Sequence, residues 1–204
     1  MTTRKEKAAS TRRAIKDAAR RLLAERGFLN TRITDITAEA GRSTGSFYEH
    51  FTDKDDLLRE LMADMTKDVS ETMGTDPHPA DHDLTDRAEL RRHIAAAWMM
   101  ISGNLPVVVG AFQSRMTRPL ADGEPWRELT ADTDMLRQHL EHLANDGHRL
   151  PGDPKLVAAV MGTIFPMLGY SLLTDPTASV EYDNDTVIDT ITDLLLHGLA
   201  GPHR

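Results

Sequence analysis

Arg32-Ile-Thr-Asp-Ile-Thr-Ala-Glu-Ala-Gly-Arg-Ser-Thr-Gly-Ser-Phe-Tyr-Glu-His-Phe51 is two short amphipathic segments on either side of a glycine. Ile33, Ile36, Thr37 and Ala40 share one helical face. Gly41 supplies the left-handed exit that a helix C-terminus favours. Ser43 stands where a hydroxyl can cap the next helix, which turns Phe47 and Phe51 inward. Upstream, Ile15, Ala18, Ala19, Leu22 and Leu23 recur at i, i+3, i+4, i+7 and i+8, which predicts a first helix from a Thr11 cap to Gly27. Downstream, Asp53 caps a fourth helix from Lys54 to about Met73. Three short helices, the last two joined by a glycine turn, form a helix-turn-helix candidate.

The chemistry of that candidate suits DNA. The third helix opens on Ser43, Thr44, Gly45 and Ser46, small residues whose hydroxyls and backbone N–H groups can come close to phosphates and base edges. Gly45 weakens a helix, which makes sense where a backbone must approach another surface. Tyr48, His50 and Lys54 follow with longer donors suited to a phosphate backbone. Charge points the same way. The chain carries a formal net charge of −8, yet residues 1–50 hold 11 Lys/Arg against 6 Asp/Glu, and residues 51–204 hold 13 against 26. A basic head on an acidic body is expected to meet a polyanion, although charge alone does not separate this from a solvated Arg-rich helix.

Composition excludes other classes. With 204 residues and no cysteine, one domain or two small ones are expected, without disulfides, zinc-thiolate sites or a cysteine nucleophile. No stretch of 18 or more apolar residues occurs and the N-terminus is charged, so a soluble cytoplasmic protein without a membrane partner is expected. Strand-like alternation is missing, and the fold class is all-α. Helices are expected at about 86–103, 106–116, 124–145, 154–173 and 184–199, after a Pro-broken linker from Gly74 to Thr85. No catalytic or phosphate-loop motif is present, so neither an enzyme nor a cofactor is expected. His78, Asp81, His82 and Asp83 in the linker are ligand types without a framework, and His139 and His142, beside Glu141, lack a third convergent ligand.

The ordered run of Gly27-Phe28, Thr31 to Ile36, Ala40-Gly41, Ser43-x-Gly45-x-Phe47-Tyr48-x-His50-Phe51 and Asp53-Lys54-Asp55-x-Leu57 resembles the TetR (tetracycline-repressor-like) family of transcriptional regulators. The resemblance covers roughly residues 11–58. It implies a DNA-binding domain over 1–53 and a helical effector-binding and dimerisation domain over 54–204. By the same resemblance Thr34 faces DNA, Thr44, Gly45 and Ser46 make base and phosphate contacts, and Tyr48, His50 and Lys54 grip phosphates. Thr31 and Arg32 flank the second helix and add phosphate contacts. Arg42 departs from a small apolar residue and either reaches a phosphate or loosens the turn, and Thr37 replaces an alanine.

For the body, the resemblance implies a ligand cavity and a dimer interface. Trp98 and Met99 lie in an apolar run, and Phe112, Met116, Trp126, Met135, Met161, Phe165 and Tyr170 complete an adaptable candidate lining. Any one of them alone is as readily plain core. The last two helices are the dimer candidates: Leu156, Val160, Thr163, Met167 and Tyr170 on one, and Val187, Ile188, Ile191, Leu194, Leu195 and Leu199 on the other. The implied function is a homodimeric repressor on a near-palindromic operator in double-stranded DNA, released by a small apolar or amphipathic effector. The alternative is a helical small-molecule binding protein with only non-specific DNA affinity.

Overall fold

The computed structural model describes residues 3–73, 83–118 and 123–198. Among these the chain forms helices only: α1 (Arg4–Arg26), α2 (Ile33–Glu39), α3 (Thr44–Tyr48), α4 (Lys54–Met73), α5 (Arg87–Gly103), α6 (Leu105–Met116), α7 (Glu124–Asp132), α8 (Asp134–Asn145), α9 (Pro154–Thr174), α10 (Pro176–Glu181) and α11 (Asn184–His197). They belong to two compact units, one of residues 1–67 with 104–119, the other of residues 68–103 with 120–204. The expected linker residues 74–82, with His78, Asp81 and His82, and Leu199 of the expected dimer face lie outside the described residues.

In the first unit, Ile15, Ala18, Ala19, Leu22 and Leu23 are buried, as their spacing predicts. They close on Ile36, Phe47, Phe51, Leu57, Leu58 and Leu61 from the next three helices. The predicted caps at Gly27, Gly41, Ser43 and Asp53 are in place: both glycines have positive φ, Ser43 accepts from the Ser46 N–H and Asp53 from the Asp56 N–H. The helix start differs. α1 begins at Arg4, where Thr3 and Glu6 make a reciprocal capping box, two turns before Thr11. Those turns bury nothing, so apolar periodicity could not detect them.

The unit boundary also differs from one drawn at residue 53, because the first part of α4 buries Leu57, Leu58, Leu61 and Met65 in the head. α6 joins the same unit. A methyl at Gly110 would sit 3.3 Å from Phe28 Cβ, so glycine is what lets α6 lie this close to the turn after α1. Ser114 on α6 is buried and donates to Asp55 Oδ1 at 2.5 Å, tying α6 to the first turn of α4.

In the second unit α9 is the central helix, packed by α5, α7, α8 and α10, while α11 runs along α5. The stretch expected as one helix at 124–145 is broken at Thr133. The Thr133 methyl sits in the notch left by Gly162 on α9, where any added Cβ would collide with it. α10 was not expected from periodicity; it starts on Pro176 with Asp175 accepting from Thr177 and Ala178. Arg87 and Arg91 on α5 form a ladder with Asp185, Asp189 and Asp193, spaced one turn apart on α11. Hydrogen bonds from these arginines hold the Asp189 and Asp193 carboxyls below the usual carboxylate range. α9 is long and apolar enough to cross a bilayer, with mean hydropathy 1.8. It nevertheless buries Ala158, Ala159, Met161, Phe165 and Gly169 among its neighbours, as a bundle helix does.

Candidate functional site

The head's recognition geometry is built around Phe47. Its side chain is fully buried, and Tyr48 lies edge-on against its ring at 5.5 Å with the rest of the phenol in solvent. One buried ring therefore locks α3 in place while the preceding turn faces outward. On that turn Thr44 and Gly45 are exposed and Ser46 is half-buried. The Ser43 hydroxyl is committed to the cap, accepting from Ser46 N at 3.1 Å and lying 3.0 Å from the Ser46 hydroxyl. The cap thereby stiffens the tip and leaves Thr44 as its outermost side-chain hydroxyl.

Around the tip, Thr34 and Arg32 are exposed at the start of α2, whose Asp35 carboxylate accepts from the Arg32 N–H at 2.9 Å. Thr37 is buried and donates to the Thr34 carbonyl, so its hydroxyl is satisfied within the helix and its methyl packs inward. Arg42 stands in solvent with its guanidinium on the Gly41 carbonyl at 3.0 Å, outside the turn. His50 is half-buried beside Phe51, which is core. Along α2, α3 and the turn between them the chain thus exposes the Thr34 and Thr44 hydroxyls, the Arg32 and Arg42 guanidiniums, the Tyr48 phenol and the Gly45 backbone, with the His50 imidazole half-buried just after α3.

Two residues expected on phosphates are placed elsewhere. Thr31 is 1% exposed and donates to the Gly27 carbonyl at 2.7 Å. The Lys54 ammonium turns into the head, donating to the Phe28 carbonyl at 2.7 Å and the Thr31 carbonyl at 2.9 Å. It also sits 3.9 Å from the centre of the Phe28 ring. It lines the small void of the head core together with Ala19, Leu23, Ile36 and Leu57. Burial pushes its ammonium below the ordinary lysine value, with the Asp55 carboxylate pulling the other way. Sequence pattern could not show this. A lysine at the start of a helix near DNA is expected in solvent, but the carbonyls exposed where the chain turns after Gly27 give it a better partner.

The candidate ligand-lining residues divide. Trp98, Met161 and Phe165 are buried in the second unit, and Trp98 is satisfied, donating from Nε1 to Asn184 Oδ1 at 2.7 Å. Met99, Trp126, Met135 and Tyr170 of the same unit are exposed, as are Phe112 and Met116 of the first. Two cavities formed by described residues, of about 290 and 10 Å³, both lie in the head, and none of these nine residues lines either. His139 is buried, with Nδ1 2.8 Å from the Met135 carbonyl and its ring edge-on to His93 at 5.4 Å. His142 reaches Asp146 instead, at 3.3 Å, so the two histidines do not converge.

The dimer candidates fare unequally. Leu156, Val160, Met167 and Tyr170 on α9 are about half exposed, with exposed Thr163 between them. Their 4, 3, 4, 3 spacing draws a straight apolar seam of coiled-coil type. On α11 the apolar face is spent internally: Val187, Ile188 and Ile191 are buried, and Leu194 is the large apolar side chain it leaves exposed.

The fold and its tip define a helix-turn-helix head of a DNA-binding type. Residues 15–61 match the family described as bacterial regulatory proteins, tetR family. The match is confined to the head, whose sequence is similar to the DNA-binding part of those regulatory proteins. It is 45% identical over 53 residues to an HTH-type transcriptional regulator of Haemophilus influenzae and 40% identical over 57 residues to the regulator AcrR of Shigella flexneri. Each match spans 26% of the relative, about a quarter of its length. The whole chain shares its fold with solved structures. FadR of Bacillus subtilis, solved with stearoyl-CoA, superposes with a TM-score of 0.68 at 18% identity, over 91% of this chain and 98% of that one.

Proposed function

We propose that this protein is a homodimeric transcriptional regulator acting in the cytoplasm, a repressor that reads a near-palindromic operator and is released by a small apolar or amphipathic effector. The observation that carries the reading is the Ser43-capped tip of α3, held out over a buried Phe47 in a head of the regulator family. Thr44, Gly45 and Ser46 read bases, while Arg32, Thr34, Arg42, Tyr48 and His50 position the backbone. The apolar seam of α9 pairs with its copy in a second chain, setting two tips about one duplex turn, ~34–36 Å, apart. A solved relative in fold holds stearoyl-CoA, an amphipathic molecule of the kind expected here. An effector that favours the DNA-free geometry by about 1–3 kcal/mol weakens operator binding roughly 5–150-fold.

Selection of bound duplexes from a random DNA library at near-physiological salt tests this. Enrichment of an inverted repeat supports it. A folded protein that enriches no sequence is a sequence-blind binder, and the regulator reading is then wrong.

A further inference from the structure

In the second unit α5 and α8 each pack on α9, and they meet at two imidazoles, His93 and His139. The rings lie edge to face, their planes at 74° and their centres 5.4 Å apart. His139 is 5% exposed, next to buried Leu140, and His93 is half-buried beside buried Ile94. The other buried polar side chains of this unit, Thr133 and Thr192, are hydroxyls that donate to a carbonyl four residues back. Among the described residues, His139 is thus the titratable side chain that this unit buries, and it faces a second one.

Each ring is pinned by its own helix. His93 Nδ1 lies 2.9 Å from the Glu89 carbonyl and His139 Nδ1 2.8 Å from the Met135 carbonyl, one turn back in both cases. A carbonyl only accepts, so each Nδ1 holds a hydrogen, and a proton gained from solvent goes to Nε2. One such proton leaves a charged ring against a neutral one. A second leaves two imidazolium rings in contact in the interior, where little water screens their repulsion. The charged groups on the surrounding helices have partners of their own. On α5, Glu89 pairs with Arg92, and Arg87 and Arg91 hold Asp185, Asp189 and Asp193 of α11. On α8, Arg137 holds Asp134 and Glu141, and His142 meets Asp146. α9 brings one charged residue, Lys155, at its start beside Trp126, and α7 brings Glu124, Arg127, Glu128 and Asp132.

We infer that the His93–His139 contact is a pH-sensitive latch between α5 and α8, closed while at least one ring is neutral and released when both are charged. Once the helices part, both rings are solvated and take up protons near the ordinary imidazole value of about 6.5. The open form then binds one proton more than the closed form. The closed form is therefore favoured above that pH and loses ground as pH falls below it, by about tenfold in the opening constant per pH unit. The latch belongs to the second unit alone and does not depend on what the head binds.

The test is hydrogen exchange of the full chain from about pH 8 to about pH 5, read on peptides of α5 and α8 and corrected for the intrinsic pH dependence of exchange. Wild type, His93→Phe and His139→Phe are compared. Wild-type α5 and α8 should open about tenfold more readily per pH unit below about pH 6. Either replacement leaves one proton site in the open and the closed form alike, and should flatten that rise while head peptides respond equally in all three proteins. If His139→Phe does not fold, His93→Phe carries the comparison alone. Imidazole proton shifts give a second readout: the wild-type pair should titrate in two separate steps, and loss of one ring should change the titration of the other. The same acid-induced rise in wild type and the folded variants overturns the latch. So does a ring whose titration is indifferent to the loss of its neighbour.

Discussion

The three-helix head and helix α9 handle apolar surface in opposite ways. Residues 3–53 leave two large apolar side chains exposed, Leu29 and Tyr48, while α9 alone leaves four along one stripe. The head has closed its own core and presents hydroxyls, guanidiniums and backbone. α9 has spent one face on its neighbours and kept another apolar. The difference fits the partners proposed for each region: a polar, charged one for the head, and an apolar one of matching helical spacing for α9.

The largest effect should come from the closed side of that contrast. Phe47→Ala is expected to cost the head about 3–5 kcal/mol in chemical denaturation, whereas Tyr170→Ala should change intrachain stability by less than about 0.5 kcal/mol. Equal costs would mean that α9's stripe is not spare surface. Next, Val160→Glu combined with Met167→Glu should weaken self-association about 100-fold or more in sedimentation, since each buried apolar side chain is worth about 1.5–3 kcal/mol. A variant that associates like wild type removes α9 from the interface.

Within the body, Gly162→Ala should destabilise by about 1–3 kcal/mol, because the Thr133 methyl occupies the notch. Thr133→Ser keeps the hydroxyl bond to Leu129 and should recover most of the loss in the double variant. In the head, Lys54→Met should cost about 1–3 kcal/mol of stability while leaving the salt slope of DNA binding unchanged. A slope lower by about one per protomer would show that Lys54 holds a phosphate after all.

The smallest effect is acid sensitivity at the α1–α4 bridge. Burial alone would raise the Asp64 carboxyl, but hydrogen bonds and charge from Lys16 and Arg20 outweigh it and hold it below its ordinary value. A depressed carboxylate contributes stability at pH above the ordinary carboxylate range, and that contribution is lost as pH falls through the folded value. Because the pair is partly solvated, Asp64→Asn should remove about 1 kcal/mol or less at pH 7 and flatten the acid limb of a stability–pH profile.

The head was the more legible region, for a physical reason. Its caps at Gly27, Gly41, Ser43 and Asp53 are local chemistry, and its apolar spacing has one outlet, the core. What escaped was set by partners distant in sequence. Lys54 looks like a solvent-facing cation until the carbonyls of Phe28 and Thr31 are brought beside it. The break at Thr133 has no proline or glycine to announce it and depends on Gly162, far along the chain. Apolar spacing on α9 and α11 looked alike, yet one face stays exposed and the other is buried, because spacing does not say which neighbour arrives first.

Both tryptophans, Trp98 and Trp126, belong to the body, and the head of residues 1–67 has none. Trp98 is 1% exposed and hydrogen-bonded, whereas Trp126 is 44% exposed with the Lys155 ammonium 5.7 Å from its ring. Intrinsic indole emission therefore sums one shielded and one wet fluorophore, both reporting on the same half of the molecule. A melt followed at that wavelength is blind to the half that holds Phe47, and a separate chromophore installed there would let the two halves be watched independently.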